Sequence, residues 1–205
     1  MKRYNIINSF ISKYNLARYL EIGVFKGECI EKINVKHKDG VDPGHENEMH
    51  HMVNYNTTSC SFFAGFFHGM SVEKYDIVFI DGLHESDQVD KDIKNSLSST
   101  VDNGFVLMHD CSPPTKKHTQ VPRGSQVDWM GDVYKSFLRS RLINPQHKHF
   151  VVDTDWGVGV ILKNQQDEKL DKDFIQKGID SWDFFCKNRA ELLSLISVDD
   201  FKKHY

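Results

Sequence analysis

The sequence predicts an α/β protein built on a buried, mostly parallel sheet, and three observations carry that expectation. Two apolar runs, Ile77-Val78-Phe79-Ile80 and Phe105-Val106-Leu107-Met108, do not alternate, and each ends abruptly in acid: Asp81 after the first, His109-Asp110 after the second. Unalternated runs of this length suit strands covered on both faces. Between them Val89, Ile93 and Leu97 recur at every fourth position, the apolar stripe of a helix, leaving Asp87, Asp90, Lys91 and Lys94 to water. Upstream, a strand-like stretch from Tyr19 to Ile22 runs into a turn holding Gly23 and Gly27.

Strand, helix and strand joined by a right-handed crossover bring both strand C-termini to one edge of the sheet, the edge at which open α/β sheets bind ligands. Adjacent strands lie about 4.8 Å apart, so Asp81 and Asp110 are expected side by side. Two carboxylates about 5 Å apart at an effective dielectric near 20 repel by roughly 3 kcal/mol. A bound divalent cation, a shared proton or a cationic ligand would offset that cost.

The composition is that of an ordinary globular domain: 205 residues, 39% hydrophobic, 27% charged, net charge -3. One domain spanning residues 1–205 is expected. No basic excess suggests nucleic acid, and no apolar stretch is long enough to span a bilayer. Asn5, Asn8, Ser9, Ser12 and Lys13 break up any signal-peptide core, so a cytoplasmic location is expected. Four cysteines, Cys29, Cys60, Cys111 and Cys186, form no C-x-x-C pair and read as reduced thiols. A homo-oligomer, or fusion to glycosyltransferase domains, stays open at this stage.

Taken in order, Ile7, Phe10, Ile11 and Tyr14 keep helical spacing and predict an opening amphipathic helix. The strand through Ile22 then enters the glycine turn, with a helix expected to start near Glu28; glycine lets the backbone approach a ligand, and a helix N-terminus supplies free N–H donors. The spacing E-x-G-x-x-x-G argues against a dinucleotide pyrophosphate site. Asp42 follows a strand stub about 20 residues later, the position from which an acid accepts hydrogen bonds from a ribose diol. His45 to His51 (HENEMHH) has the wrong spacing for a helical zinc motif and reads as a solvated surface. Thr57 to Phe63 is expected to be a third strand and its exit. Ser112 to about Gln126 is a long polar loop of the kind that forms lids, with positive charge from Lys116, Lys117, His118 and Arg123. A helix from Trp129-Met130-Gly131-Asp132, a closing strand pair at 150–153 and 158–162, and a helical tail complete the chain.

The stretch Leu20-Glu21-Ile22-Gly23-Val24-Phe25-Lys26-Gly27 resembles the first motif of class I S-adenosylmethionine-dependent methyltransferases. Phe79-Ile80-Asp81-Gly82-Leu83-His84, Asn103-Gly104-Phe105, His109-Asp110-Cys111, Gly131-Asp132-Val133-Tyr134-Lys135 and Asp155-Trp156-Gly157-Val158-Gly159-Val160 are similar to the metal-dependent sugar O-methyltransferases within that class. The resemblance runs from about Tyr19 to Leu162. It implies a three-layer Rossmann-like fold, with a seven-stranded mostly parallel sheet between helices, and methyl transfer from S-adenosylmethionine to a sugar hydroxyl of a glycan or glycoside. It also implies cofactor contacts from Glu21, Gly23, Gly27, Asp42, Ser61 and Asp81, magnesium or manganese on Asp81 and Asp110, and His84 as general base. The relatives' third carboxylate is missing beside Asp110, whose neighbours are His109 and Cys111; Asp132 is the substitute by motif. Two other readings use the same residues: a metal-dependent hydrolase or hydroxylase built on Asp81, His84 and Asp110, and a cofactor-binding module without activity.

Overall fold

The computed structural model describes residues 1–44, 50–69, 73–125, 128–166 and 171–205. One sheet of seven strands organises them: β1 (Arg18–Ile22), β2 (His37–Val41), β3 (Tyr75–Ile80), β4 (Thr100–Met108), β5 (Lys148–Val152), β6 (Val158–Leu162) and β7 (Leu195–Ile196), in the order β2-β1-β3-β4-β6-β5-β7. All pairings are parallel except those of β6, which runs against both β4 and β5. The helices are α1 (Arg3–Tyr14), α2 (Ser59–His68), α3 (Ser86–Ser99), α4 (Val133–Ile143), α5 (Lys172–Asp180), α6 (Trp182–Leu192) and α7 (Val198–His204).

The unalternated strands have the expected cause. Successive residues of β3 enter opposite cores: Val78 and Ile80 join the helices α2 to α6, whereas Ile77 and Phe79 join α1 and α7. Helix α3 buries Val89, Ile93 and Leu97 as its spacing predicts, and α1 buries Ile6, Ile7, Phe10 and Ile11. Register places Ile22 beside Ile80 and Ile80 beside Met108. Gly23, Asp81 and His109 therefore leave the same edge in adjacent rows.

Three elements differ from expectation. Thr57 to Phe63 is no strand: Thr58 caps α2, its hydroxyl accepting from the Ser61 N–H at 3.2 Å, and Phe62 and Phe63 turn into the core. A Thr-Ser-Cys-Ser run is cap chemistry, and among the described residues the sheet gains beyond β2 only the bridge Val41 to Tyr55. The helix expected from Glu28 shrinks to one 3₁₀ turn, Ile30–Lys32, because residues 28–36 must also carry the chain back to β2. The tail is helical except at Leu195 and Ile196, which pair with β5 and cover an edge that would otherwise expose unpaired backbone groups. Among the described residues, no helix is long and apolar enough to cross a membrane.

Candidate active site

A cavity of about 650 Å³ opens at the C-terminal edge of β1 and β3, within the size range of small-ligand sites. Its floor is the glycine turn. Gly23 has φ +86°, and a Cβ there would stand 2.1 Å from the Asp81 carbonyl oxygen, so the turn requires glycine. Gly27, φ +74°, lies beside the floor rather than on it: the His50 ring packs where its Cβ would be. That ring is held by the Met52 N–H, which donates to Nδ1 at 3.2 Å, leaving the proton on Nε2 to reach Glu31 at 3.0 Å. Residues 45–49 of the histidine-rich run lie outside the described residues.

Glu21 lies on the inner wall, 1% exposed, and accepts a hydrogen bond from the Tyr19 hydroxyl. Burial pushes its carboxyl up to about 8. Asp42 also lines the cavity, but its Oδ2 already accepts from the Val24 and Phe25 N–H groups at 2.9 Å each, and its Oδ1 from Gly44 N–H at 2.8 Å. It braces the glycine turn and keeps part of its acceptor capacity for a ligand. Ser61 is not on the wall: it sits in the first turn of α2, its hydroxyl accepting from Thr58. Thr58, Ser59, Gln88 and Asp92 line that side instead, with Gln88 Nε2 donating to Ser59 Oγ at 3.0 Å and Asp92 Oδ1 at 2.9 Å. The i, i+4 pair of polar residues on the inward face of α3 was the sequence signal for that wall.

At the rim, Asp81 and Asp110 come together as their strand ends dictate, with imidazoles between them. His84 Nε2 lies 3.4 Å from Asp81 Oδ1, and His84 Nδ1 lies 3.2 Å from Asp110 Oδ2. His109 Nδ1 is 3.5 Å from Asp81 and 3.2 Å from Asp110. Burial alone would raise the Asp81 carboxyl, but His109 and His84 hold it well below the usual carboxylate range. Burial disfavours the charged imidazole of His84, yet the hydrogen bond to Asp81 and the charge of Asp110 raise it on balance; His109 is raised further by Asp81 and Asp110. The chain itself thus supplies part of the offset to carboxylate repulsion.

Two members of this cluster escape sequence reasoning. Arg3, at the start of α1, places Nε 3.5 Å from Asp81 and Nη1 3.3 Å from both His109 Nε2 and Asp155 Oδ2. Asp155, 1% exposed, accepts from the Arg3 N–H at 2.9 Å and from Lys2 at 2.7 Å. Its turn is clamped to the end of β4 by Cys111 N–H to Gly157 O, 3.0 Å, and Ser112 N–H to Trp156 O, 2.9 Å. Asp110 itself is left-handed, φ +62°, a strained state for a non-glycine residue and one that recurs at functional sites.

The long loop seats on His84. The His84 Nδ1–H donates to the Trp129 carbonyl at 2.9 Å, and the two rings stack at 5.2 Å. A carbonyl oxygen only accepts, so Nδ1 keeps its proton and Nε2 is the nitrogen that can exchange one. A Cβ at Gly131 would stand 1.6 Å from the His84 carbonyl oxygen. Asp132 spends both oxygens on Ser86, at 2.7 and 2.9 Å; it orders the start of α3 and is no third partner to Asp81 and Asp110. Those two and His84 offer two carboxylate oxygens and one imidazole nitrogen within 4.8 Å of one another. This oxygen-rich donor set fits a hard divalent cation with open positions.

The profile of a family described as "Methyltransferase domain" matches residues 20–111, from β1 to just past β4. No curated protein matches the sequence. Among solved structures, an O-methyltransferase from Bacillus cereus in complex with S-adenosylhomocysteine is 11% identical, with a TM-score of 0.56, over 78% of this chain and 80% of that one. The O-methyltransferase TomG from Streptomyces achromogenes, involved in tomaymycin synthesis and solved with S-adenosylmethionine, is 12% identical with a TM-score of 0.58, over 79% of each chain. The N-methyltransferase NodS from Bradyrhizobium japonicum is 14% identical with a TM-score of 0.50, over 80% of this chain and 95% of that one. At such identities the likeness establishes the fold, and neighbours that methylate oxygen and nitrogen share it.

Proposed function

We propose that this chain, a class I S-adenosylmethionine-dependent methyltransferase, methylates oxygen, and that its acceptor is a sugar hydroxyl of a glycan or glycoside. The observation that carries this reading is the placement of the His84 ring between two carboxylates, Nε2 beside Asp81 and Nδ1 beside Asp110, at the mouth of a cavity whose floor is the glycine turn.

A hydroxyl is a poor nucleophile, and an amine needs no such apparatus. In the proposed reaction the acceptor oxygen attacks the cofactor's methyl carbon in line, the carbon–sulfur bond breaks with its electron pair going to sulfur, and S-adenosylhomocysteine leaves. The hydroxyl proton passes to His84 Nε2, whose ring is fixed by the Trp129 carbonyl. Asp81 and Asp110 would hold a magnesium or manganese ion, which when bound supplies positive charge that lowers the pKa of an acceptor hydroxyl. Asp42 and Asp81 give the cavity the negative charge that suits a sulfonium, and a cation bound there would favour ionisation of the buried Glu21 carboxyl. Arg3 and Asp155 orient the rim from behind.

Calorimetry with S-adenosylhomocysteine, followed by methyl transfer to a panel of glycosides with and without chelator, tests this. Binding is expected in the wild type and in Asp110→Asn. Methyl transfer should fall at least about 100-fold in Asp110→Asn and His84→Gln, a typical loss for a general acid–base group, and chelator should abolish it until magnesium is restored. Full turnover in His84→Gln, or turnover indifferent to chelator, would remove the corresponding role.

A further inference from the structure

Two groups of polar side chains line the cavity, one from each face of the sheet. Ser59, Gln88 and Asp92 come from α2 and α3 and are joined by hydrogen bonds of 3.0 and 2.9 Å. Arg3, Glu21 and Cys29 stand on the side of α1, near enough for their charges to act on one another. Only the second group sets a guanidinium beside a carboxyl, the pairing that complements a zwitterion. Arg3 also holds an unspent donor. Its Nη1 lies 3.3 Å from both His109 Nε2 and Asp155 Oδ2, but its Nε is buried and makes no hydrogen bond among the described residues. Asp81 Oδ2 lies 3.5 Å from Nε, close enough for an ion pair but outside the range of roughly 2.7–3.2 Å for an N–H···O hydrogen bond. The other oxygen of Asp81 faces His84 and His109, at 3.4 and 3.5 Å, and Asp155 is shared with Lys2 at 2.7 Å. Buried donors are almost always paired. Arg18 Nε and Ser96 Oγ share this state, and of the three atoms only that of Arg3 belongs to a residue of this cavity.

We infer that Arg3 holds the α-carboxylate of S-adenosylmethionine through the Nε–Nη2 edge of its guanidinium, while Glu21 answers the α-ammonium. The inference rests on the methyltransferase reading, not on the identity of the acceptor, and adds to that reading the residue that fixes the amino-acid end of the cofactor. From this edge a guanidinium meets a carboxylate with two parallel N–H donors. Glu21 does not repel the incoming carboxylate. Burial pushes its own carboxyl up to about 8, so it is largely protonated at neutral pH until an ammonium beside it draws out the charge. Two other basic side chains line the cavity, and both are exposed. Arg123 lies over the Trp129 ring, 5.7 Å from its centroid, and Lys26 places Nζ 5.3 Å from the Phe25 ring. Arg3, its side chain 22% exposed, is set into the wall beside Glu21.

The test is calorimetric titration of wild type, Arg3→Gln, Arg3→Lys and Lys26→Gln with three ligands. These are S-adenosylhomocysteine, its decarboxylated analogue, which keeps the amine, and methylthioadenosine, which lacks both amine and carboxylate. The wild type should bind S-adenosylhomocysteine at least about tenfold more tightly than the decarboxylated analogue, as suits a charge-assisted pair of hydrogen bonds. Arg3→Gln should collapse that preference. Arg3→Lys, which keeps the charge but not the fork, should retain part of it and carries the test if Arg3→Gln does not fold. Lys26→Gln should keep the preference whole, and methylthioadenosine should bind all four proteins alike. Equal binding of the first two ligands by wild type, a preference that survives both Arg3 variants, or one lost in Lys26→Gln instead would overturn the inference. So would a loss shared equally by all three ligands in the Arg3 variants, which would make Arg3 a brace of the rim. Failure of the wild type to bind S-adenosylhomocysteine or methylthioadenosine would instead sink the methyltransferase reading beneath it.

Discussion

Glu21 shows how a buried carboxyl can oppose folding. Its carboxyl rises from an ordinary 4.5 to about 8 on burial. The folded state therefore holds a proton that the unfolded chain has released between those values. Below pH 4.5 both states are protonated and nothing is lost; stability then falls as pH rises, until the folded carboxyl ionises near 8. Glu21→Gln should accordingly unfold at higher denaturant than wild type, by on the order of 3 kcal/mol at pH 8, and match it near pH 4. The same variant should bind S-adenosylhomocysteine at least tenfold more weakly. A stability difference independent of pH would show that burial does not hold that proton. Glu21 was legible from its place before Gly23, and Asp81 and Asp110 from the ends of their apolar runs. His109 was passed over as a neighbour of Asp110, because strand-end position does not say which way a ring turns.

At the scale of elements, the rim is held by a helix start, a turn and a cap far apart in the chain. Asp155 ties the turn between β5 and β6 to Lys2 and Arg3 at the head of α1 with a fully buried carboxylate. Its loss leaves Lys2 to water and Arg3 to Asp81, so Asp155→Ala should cost about 1–3 kcal/mol in chemical denaturation. Thr58→Ala should cost only about 1 kcal/mol, the worth of a cap, and loosen α2 in hydrogen exchange. The central strand, helix and strand were readable because periodicity reports burial directly. Thr57 to Phe63 misled because a polar run before two phenylalanines suits a strand exit and a capped helix equally. Only the packing of Phe62 and Phe63 between α2 and the sheet decides.

For the whole molecule, the cavity joins parts that fold around one sheet edge, so a ligand that fills it, as the proposed cofactor would, should stabilise all of them together. S-adenosylhomocysteine at about 100 times its Kd should add roughly 2.7 kcal/mol, equivalent to a rise in Tm of about 5–10 °C in a chain of this size. A scan without such a shift, at concentrations where calorimetry shows saturation, would mean that the ligand binds outside the folded cavity.

The sequence by itself determined the covered sheet, the edge at which its cavity opens, the acids at two strand ends and the need for positive charge between them. Each of these follows from local order, since alternation, spacing and chain direction are written along the backbone. Tertiary structure alone decided which side chains gather around those acids: two histidine rings, and an arginine from α1 held by an aspartate 152 residues away. It also decided that Asp132 caps α3 and that Ser61 stays off the wall. These are long-range pairings, and no local pattern specifies which side chain a distant segment will meet.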